Sequence, residues 1–185
     1  MELTEKTLSE EYIYQGRIIK VRRDEVELPN GHKSVREVVE HSGGVCVLPL
    51  TGRKDRPRVA KISSMNFAHL ASFHNFPAGK RDHGEESPLE CGKRELAEET
   101  GAKADKYTSL GELYPSPGYC GEVIYMFLAT GLTFGDTNPD EDEFLNVEKI
   151  PFDKALDMVL SGEIKDSKTQ CALLKAAVIL GKLRK

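Results

Sequence analysis

Apolar residues change their spacing several times along this 185-residue chain, and each change marks an element. Residues 12–28 (YIYQGRIIKVRRDEVEL) carry a loose apolar alternation that predicts two strands, closing at Pro29-Asn30-Gly31. The Asn-Gly pair ahead of another alternating run is a hairpin signal, with Ser34–Glu40 (SVREVVE) as the returning strand. After Gly43-Gly44, Val45–Leu50 is almost wholly apolar, as a buried strand is. Thr51–Arg58 reads as a charged turn and Val59–Ile62 as the next strand, whereas Ser63–Asn75 shows little strand alternation. Strands are expected around Leu110–Leu113, Val123–Thr130 and Phe144–Ile150, with an acidic loop from Gly135 to Glu143 before the last. Pro151-Phe152-Asp153 opens a helix through Leu160, and Ser167–Leu183 is a second, amphipathic one. Strands interrupted by one central helix and finished by others predict an α/β or α+β layering.

That central helix is sharply punctuated. Ser87 can cap it, Pro88 suits its first position, Glu90 completes a capping box and Gly101 supplies the stop. Leu89, Gly92 and Leu96 form its buried stripe. Glu95, Glu98 and Glu99 are spaced i, i+3, i+4, so their carboxylates leave one face of the helix. Like charges this close repel, and a hard divalent cation such as Mg²⁺ or Mn²⁺ offsets the repulsion. A solvated acidic face is the plainer alternative.

Composition narrows the field. Hydrophobic residues make up 39% of the chain and charged residues 30%, enough for one domain with a real core and a small N-terminal extension. A net charge of −4 argues against nucleic acid as a bulk partner, so an anionic substrate needs local compensation from a metal or a few arginines. Cys46, Cys91, Cys120 and Cys171 have no zinc-type spacing and read as reduced residues of a cytoplasmic protein. The polar N-terminus MELTEKTLSEEY is no signal peptide, and no apolar run is long enough to imply a membrane partner.

Gly79-x5-Glu85 followed by Arg94-Glu95-Leu96-x-Glu98-Glu99-x-Gly101-Ala102, behind the Pro77-Ala78-Gly79-Lys80 turn, resembles the Nudix box. The front half carries one residue more than the family pattern. Either it lies between Glu85 and Arg94, or Glu86 is the motif glutamate and it lies in the turn before. Both options place it ahead of Ser87, so the carboxylate face survives. Ser116-Pro117-Gly118-Tyr119 and Glu122 resemble motifs of the ADP-ribose pyrophosphatase branch. So do Gly16-Arg17-Ile18-Ile19, Leu28-Pro29-Asn30-Gly31, Arg36–His41 and Ile164–Thr169. The resemblance covers the chain from about Tyr12 to Leu183.

The resemblance implies a Nudix α/β/α sandwich, a mixed sheet between helices, over residues 41–185. It makes residues 1–40 a small antiparallel β unit of the kind this branch uses for an intertwined homodimer. It implies hydrolysis of the pyrophosphate bond of ADP-ribose, a nucleoside diphosphate sugar, to AMP and ribose 5-phosphate with Mg²⁺ or Mn²⁺. Glu95 and Glu99 become the principal metal ligands, Glu98 a further ligand or water-positioning group, and the Ala78 carbonyl completes the set. In the acidic loop Asp140-Glu141-Asp142-Glu143, Glu141 corresponds to the catalytic base and Glu143 to a metal ligand. Arg36, Pro117, Gly118 and Glu122 would touch substrate, and Arg94 would pair with carboxylates such as Glu98 and orient them.

One stretch departs from the branch. Where it carries an Arg-Gln-aromatic-Arg-aromatic strand, this chain reads Ser63-Ser64-Met65-Asn66-Phe67, and Asn75 replaces a glutamate. Arginine is the preferred fork for phosphate, so substrate anchoring changes. A Nudix hydrolase of another or of several nucleotide sugars is therefore one alternative. A non-catalytic ADP-ribose-binding module is another, although the retained box carboxylates favour an enzyme. His69 and His74 lack a ligand pattern and read as ordinary surface or packing residues.

Overall fold

The N-terminal hairpin forms where Asn30-Gly31 is placed. The computed structural model of the chain describes residues 3–53, 55–66, 71–81, 86–138 and 145–182. Strands β1 (Lys6–Gln15), β2 (Ile19–Glu27) and β3 (Lys33–His41) pair antiparallel in that order. Gly31 closes the β2–β3 turn at φ 81°, a conformation that glycine adopts without a Cβ penalty. The Asn30 side chain accepts from the His32 amide at 3.0 Å. Residues Met1–Gly43 form one compact unit with Tyr114–Val123. That later segment joins at Val39, which donates to the Tyr119 carbonyl at 2.8 Å and accepts from the Gly121 amide at 2.9 Å.

Residues Gly44–Leu113 and Ile124–Lys185 form the second unit. Its sheet runs β10 (Asn146–Pro151), β5 (Arg56–Asn66), β4 (Gly44–Arg53), β9 (Ile124–Phe134), β8 (Ala102–Leu113). Strand β6 (Ala71–Asn75) pairs with β5, and β7 (Ala78–Lys80) pairs with β4. Pairing is antiparallel except between β4 and β9, so the sheet is mixed.

Strand β4 explains the layers. Cys46 and Leu48 point into a core with Ile124, Met126 and Leu128 of β9 and with helices α2 (Phe152–Leu160) and α3 (Ser167–Ile179). Val47, between them in sequence, belongs to a second cluster with Leu96 of helix α1 (Pro88–Thr100), Ala102 and Ala129. Side chains alternate across a strand, so an all-apolar run is buried on both faces. Here α1 covers one face while α2 and α3 cover the other. This is the expected α/β/α sandwich, and the other unit is the expected small antiparallel one.

Several strands outrun their sequence signal. β8 starts at Ala102 and β9 ends at Phe134. The segment Ser63–Asn75, which shows little alternation, supplies the end of β5 and all of β6 in antiparallel register, with Ile62 opposite Asn75 and Ser63 opposite His74. The Ser63 hydroxyl lies 2.9 Å from His74 Nδ1 across this pair of strands. Local pairing of this kind replaces the apolar period that normally announces a strand.

Candidate active site

Helix α1 begins as its residues dictate. The Ser87 hydroxyl accepts from the Glu90 amide at 3.2 Å, and Pro88 occupies the first turn. The Glu90 carboxylate turns outward to Lys93 Nζ at 2.7 Å. At the other end Gly101 takes the left-handed conformation (φ 66°) and donates to the Ala97 carbonyl at 2.8 Å. Gly101 is also hemmed in, because a Cβ there would lie 2.2 Å from the Gly135 carbonyl oxygen.

The carboxylate face is turned into the protein. Glu95 is 8% and Glu99 4% exposed, where a carboxylate is costly unless it is paired or hydrogen-bonded. Both lie against the β7 turn: Glu99 Oε2 accepts from the Ala78 amide at 3.0 Å, and Glu95 fills the space a Gly79 side chain would need. The turn itself is pinned from two sides. The Val47 amide donates to the Pro77 carbonyl at 2.8 Å, and the Phe76 amide donates to Thr169 Oγ1 at 3.0 Å. Thr169 is 1% exposed and sits in the first turn of α3, whose cap Asp166 accepts from the Thr169 amide at 2.9 Å. The sequence marks Ile164–Thr169 only as a helix entry. The Asp166-x-x-Thr169 spacing is the signal for this brace.

Arg94 ties the acidic face together. Its Nη1 lies 2.8 Å from both Glu95 Oε1 and Glu98 Oε2, while Nε and Nη2 lie 3.2 and 3.3 Å from the two Glu86 oxygens. Burial alone would lower the Arg94 pKa, but hydrogen bonds to Glu86 and Glu98 and the Glu95 charge outweigh it and hold the guanidinium fully charged. The expected pairing of Arg94 with Glu98 is thus present, and two further carboxylates join it. Glu86 is anchored here; Glu85 lies outside the described residues. The same network surrounds the Cys91 thiol, pushed up to about 12 by burial first and then by Glu86 and Glu95.

Arg81, one residue beyond β7, carried no signal in the sequence. Its guanidinium carbon stands 5.4 Å from the Tyr125 ring centroid and its Nη2 lies 3.4 Å from the Glu86 carbonyl oxygen. Its Nε is buried without a hydrogen-bond partner among the described residues.

The remaining expected residues fall as follows. Glu141 and Glu143 lie outside the described residues. The chain approaching them is held to α1, the Gly135 amide donating to the Gly101 carbonyl at 2.7 Å and the Asn138 amide to the Glu98 carbonyl at 2.9 Å. In the N-terminal unit, Arg36 is engaged by Glu5 (Nε to Oε2, 3.0 Å) and by the Ser34 hydroxyl (3.1 Å). Pro117 and Gly118 lie exposed in the 116–120 turn, and Glu122 Oε1 is 3.7 Å from His41 Nδ1. His74 contacts Lys61 and Ser63 as an ordinary packing residue; His69 lies outside the described residues. Among the described residues no three His, Cys, Asp or Glu side chains form a ready-made metal cage. The donor set at α1 nevertheless fits a hard divalent ion. It offers carboxylate oxygens from Glu95, Glu98 and Glu99 beside a backbone turn that only glycine lets approach.

Comparison with known proteins shows the family. A NUDIX domain model matches residues 40–169, and a nucleoside diphosphate sugar hydrolase N-terminal domain matches residues 5–39. The chain belongs to the Nudix family, whose members generally depend on a divalent metal, and it is a pyrophosphatase-type hydrolase of that family. It is 39% identical over 173 residues to an ADP-ribose pyrophosphatase of Bacillus subtilis (strain 168), covering 92% of this chain and 91% of that one. It is 36% identical to a methanol dehydrogenase activator of Bacillus methanolicus, covering 91% and 90%. A GDP-mannose pyrophosphatase of Yersinia enterocolitica is 41% identical, covering 82% of each chain. In fold, it matches a crystal structure of an ADP compounds hydrolase with a TM-score of 0.82 and 23% identity, covering 99% of this chain and all of that one.

Proposed function

We propose that this protein hydrolyses the pyrophosphate bond of ADP-ribose to AMP and ribose 5-phosphate, using Mg²⁺ or Mn²⁺. The observation that carries the reading is the pair Glu95 and Glu99, buried on one helix face against the Ala78–Gly79 backbone. A structural acidic helix would turn such charges to water; Arg94 offsets part of the charge buried beside the glycine cradle, and a divalent ion would offset more. The ADP-ribose pyrophosphatase relative, matched over nine-tenths of both chains, supports the substrate.

In this reading Glu95, Glu98, Glu99 and the Ala78 carbonyl hold the metal, with Glu143 as a further ligand. A bound divalent ion neutralises pyrophosphate charge and lowers the pKa of its water. Glu141 accepts the proton of the attacking water. Arg94 keeps the Glu95 and Glu98 carboxylates in place through its 2.8 Å contacts, so the site is organised before substrate arrives. Arg36, Pro117, Gly118 and Glu122 are proposed to contact substrate. Residues 1–40 are proposed to mediate a homodimer, consistent with a β1 strand exposed along its whole length. Four free cysteines suit a cytoplasmic location.

A second reading, hydrolysis of another nucleotide sugar, is favoured by Ser63–Phe67 replacing the branch's arginine strand and by the GDP-mannose pyrophosphatase relative. The test is a substrate panel with Mg²⁺: ADP-ribose, GDP-mannose and other nucleoside diphosphate sugars, with products separated by chromatography. ADP-ribose is expected to have the highest kcat/KM. Faster turnover of another sugar would replace the substrate, and binding without cleavage across the panel would replace the enzyme.

A further inference from the structure

The end of β4, the start of β5 and the junction of β10 with α2 line an open cavity of about 420 Å³ that takes no residue from α1 or β7. Arg53, Arg56, Arg58 and Lys182 line it, against two carboxylates, Asp55 and Asp153. This is a local excess of positive charge in a chain whose net charge is −4.

The cations are only weakly committed. Arg53 Nε meets Asp55 at 3.1 Å, but both side chains are well exposed, where such a pair adds little. Lys182 stands 3.9 Å from Asp153. Arg58 donates to the Lys149 carbonyl, which leaves its charge unneutralised. The Arg56 side chain makes no hydrogen bond or ion pair among the described residues. Like-charged guanidiniums around one cavity repel unless an anion joins them. The guanidinium fork fits phosphate oxygens in pairs.

The rest of the lining is apolar. Pro57 and the exposed Pro151 offer an apolar wall that an inorganic ion has no use for, and the volume lies within the range of about 300–1,000 Å³ usual for small-molecule sites. We propose that this cavity binds a small phosphomonoester, its phosphate on Arg56 and Arg53 and its organic part against Pro57 and Pro151. The site is distinct from the hydrolytic one and does not rest on the proposed reaction.

Amide NMR of the metal-free protein, titrated at constant ionic strength with phenyl phosphate and separately with inorganic phosphate, tests this. Saturable shifts are expected at Gly52, Arg56 and Phe152, with phenyl phosphate binding more tightly. Arg56→Ala, an exposed position, should keep the wild-type circular dichroism and bind about tenfold more weakly, whereas Arg56→Lys should retain part of the affinity. Shifts that stay linear with ligand, that are unchanged in Arg56→Ala, or that fall only on α1 would overturn the proposal. Inorganic phosphate binding as tightly as phenyl phosphate would overturn the role of the apolar wall. The experiment contains no metal or nucleotide, so its failure leaves the hydrolytic reading untouched.

Discussion

Gly79 and Glu95 compete for the same space: a Cβ built on Gly79 would lie 1.9 Å from Glu95 Oε1 and 2.0 Å from its carboxyl carbon. Glycine is needed here for room. Strand β7 can therefore pass close enough for the neighbouring Ala78 amide to hold Glu99. Gly79→Ala must push Glu95 off its seat. It is expected to cost about 1–3 kcal/mol of stability through overpacking and to reduce turnover at least tenfold, as about 1.4 kcal/mol of lost transition-state stabilisation would. Thermal unfolding and initial rates check this together. Wild-type values for both would show that the carboxylate has other room.

Arg94 contacts three carboxylates at once and offsets part of their charge, so removing it leaves like charges facing one another in a partly buried cluster. With its side chain 25% exposed, Arg94→Ala is expected to destabilise by about 2 kcal/mol, less than a fully buried pair would lose. Mg²⁺ should raise the melting temperature of Arg94→Ala more than that of the wild type, because the ion supplies part of the lost charge. An equal rise in both would separate Arg94 from the metal face.

Glu148 gives a pH prediction. Its hydrogen bond to Lys61, together with the charge of Lys61, holds its carboxyl below the ordinary value of 4.5. A lowered folded-state pKa stabilises above the unfolded value and loses that contribution as pH falls through the folded one. Glu148→Gln should therefore narrow its stability gap from the wild type below about pH 4.5 and leave it widest near neutrality. Denaturant midpoints measured from pH 3 to 7 test this, and a gap that grows in acid would contradict it.

The four thiols should divide by burial. Cys46 and Cys91 are 0% exposed and both are pushed up to about 12, chiefly by burial. Cys120 and Cys171 are partly exposed. Iodoacetamide at pH 8 should alkylate Cys120 and Cys171 first, with Cys46 and Cys91 reacting only after unfolding. Peptide mass spectrometry reads the order, and early labelling of Cys91 would mean that α1 opens in the native state.

The parts of this molecule that were legible in the sequence are those written locally. Ser87, Pro88 and Gly101 bound α1 by backbone chemistry alone, and the unbroken apolar run Val45–Leu50 announces a strand covered on both faces. Less legible were features that depend on distant partners. β6 pairs with β5 in a register that sets Ser63 opposite His74, and neither residue carries a strand period. The capping box forms only in part, since Lys93 draws the Glu90 carboxylate outward. Thr169 reaches Phe76 across 93 residues of chain, and Arg94 engages Glu86 as well as its helix neighbours. Such contacts depend on how the elements stack.

The most direct measurement is turnover of ADP-ribose by Glu99→Gln beside the wild type, with Mg²⁺ saturating and products identified by chromatography. Gln keeps the shape and can still accept from the Ala78 amide, but it removes the charge a metal needs. The wild type should release AMP and ribose 5-phosphate, and Glu99→Gln should fall by at least about tenfold, the lower end of the loss typical for metal-site partners. Near wild-type turnover in Glu99→Gln would contradict the assignment of the α1 carboxylates to catalysis.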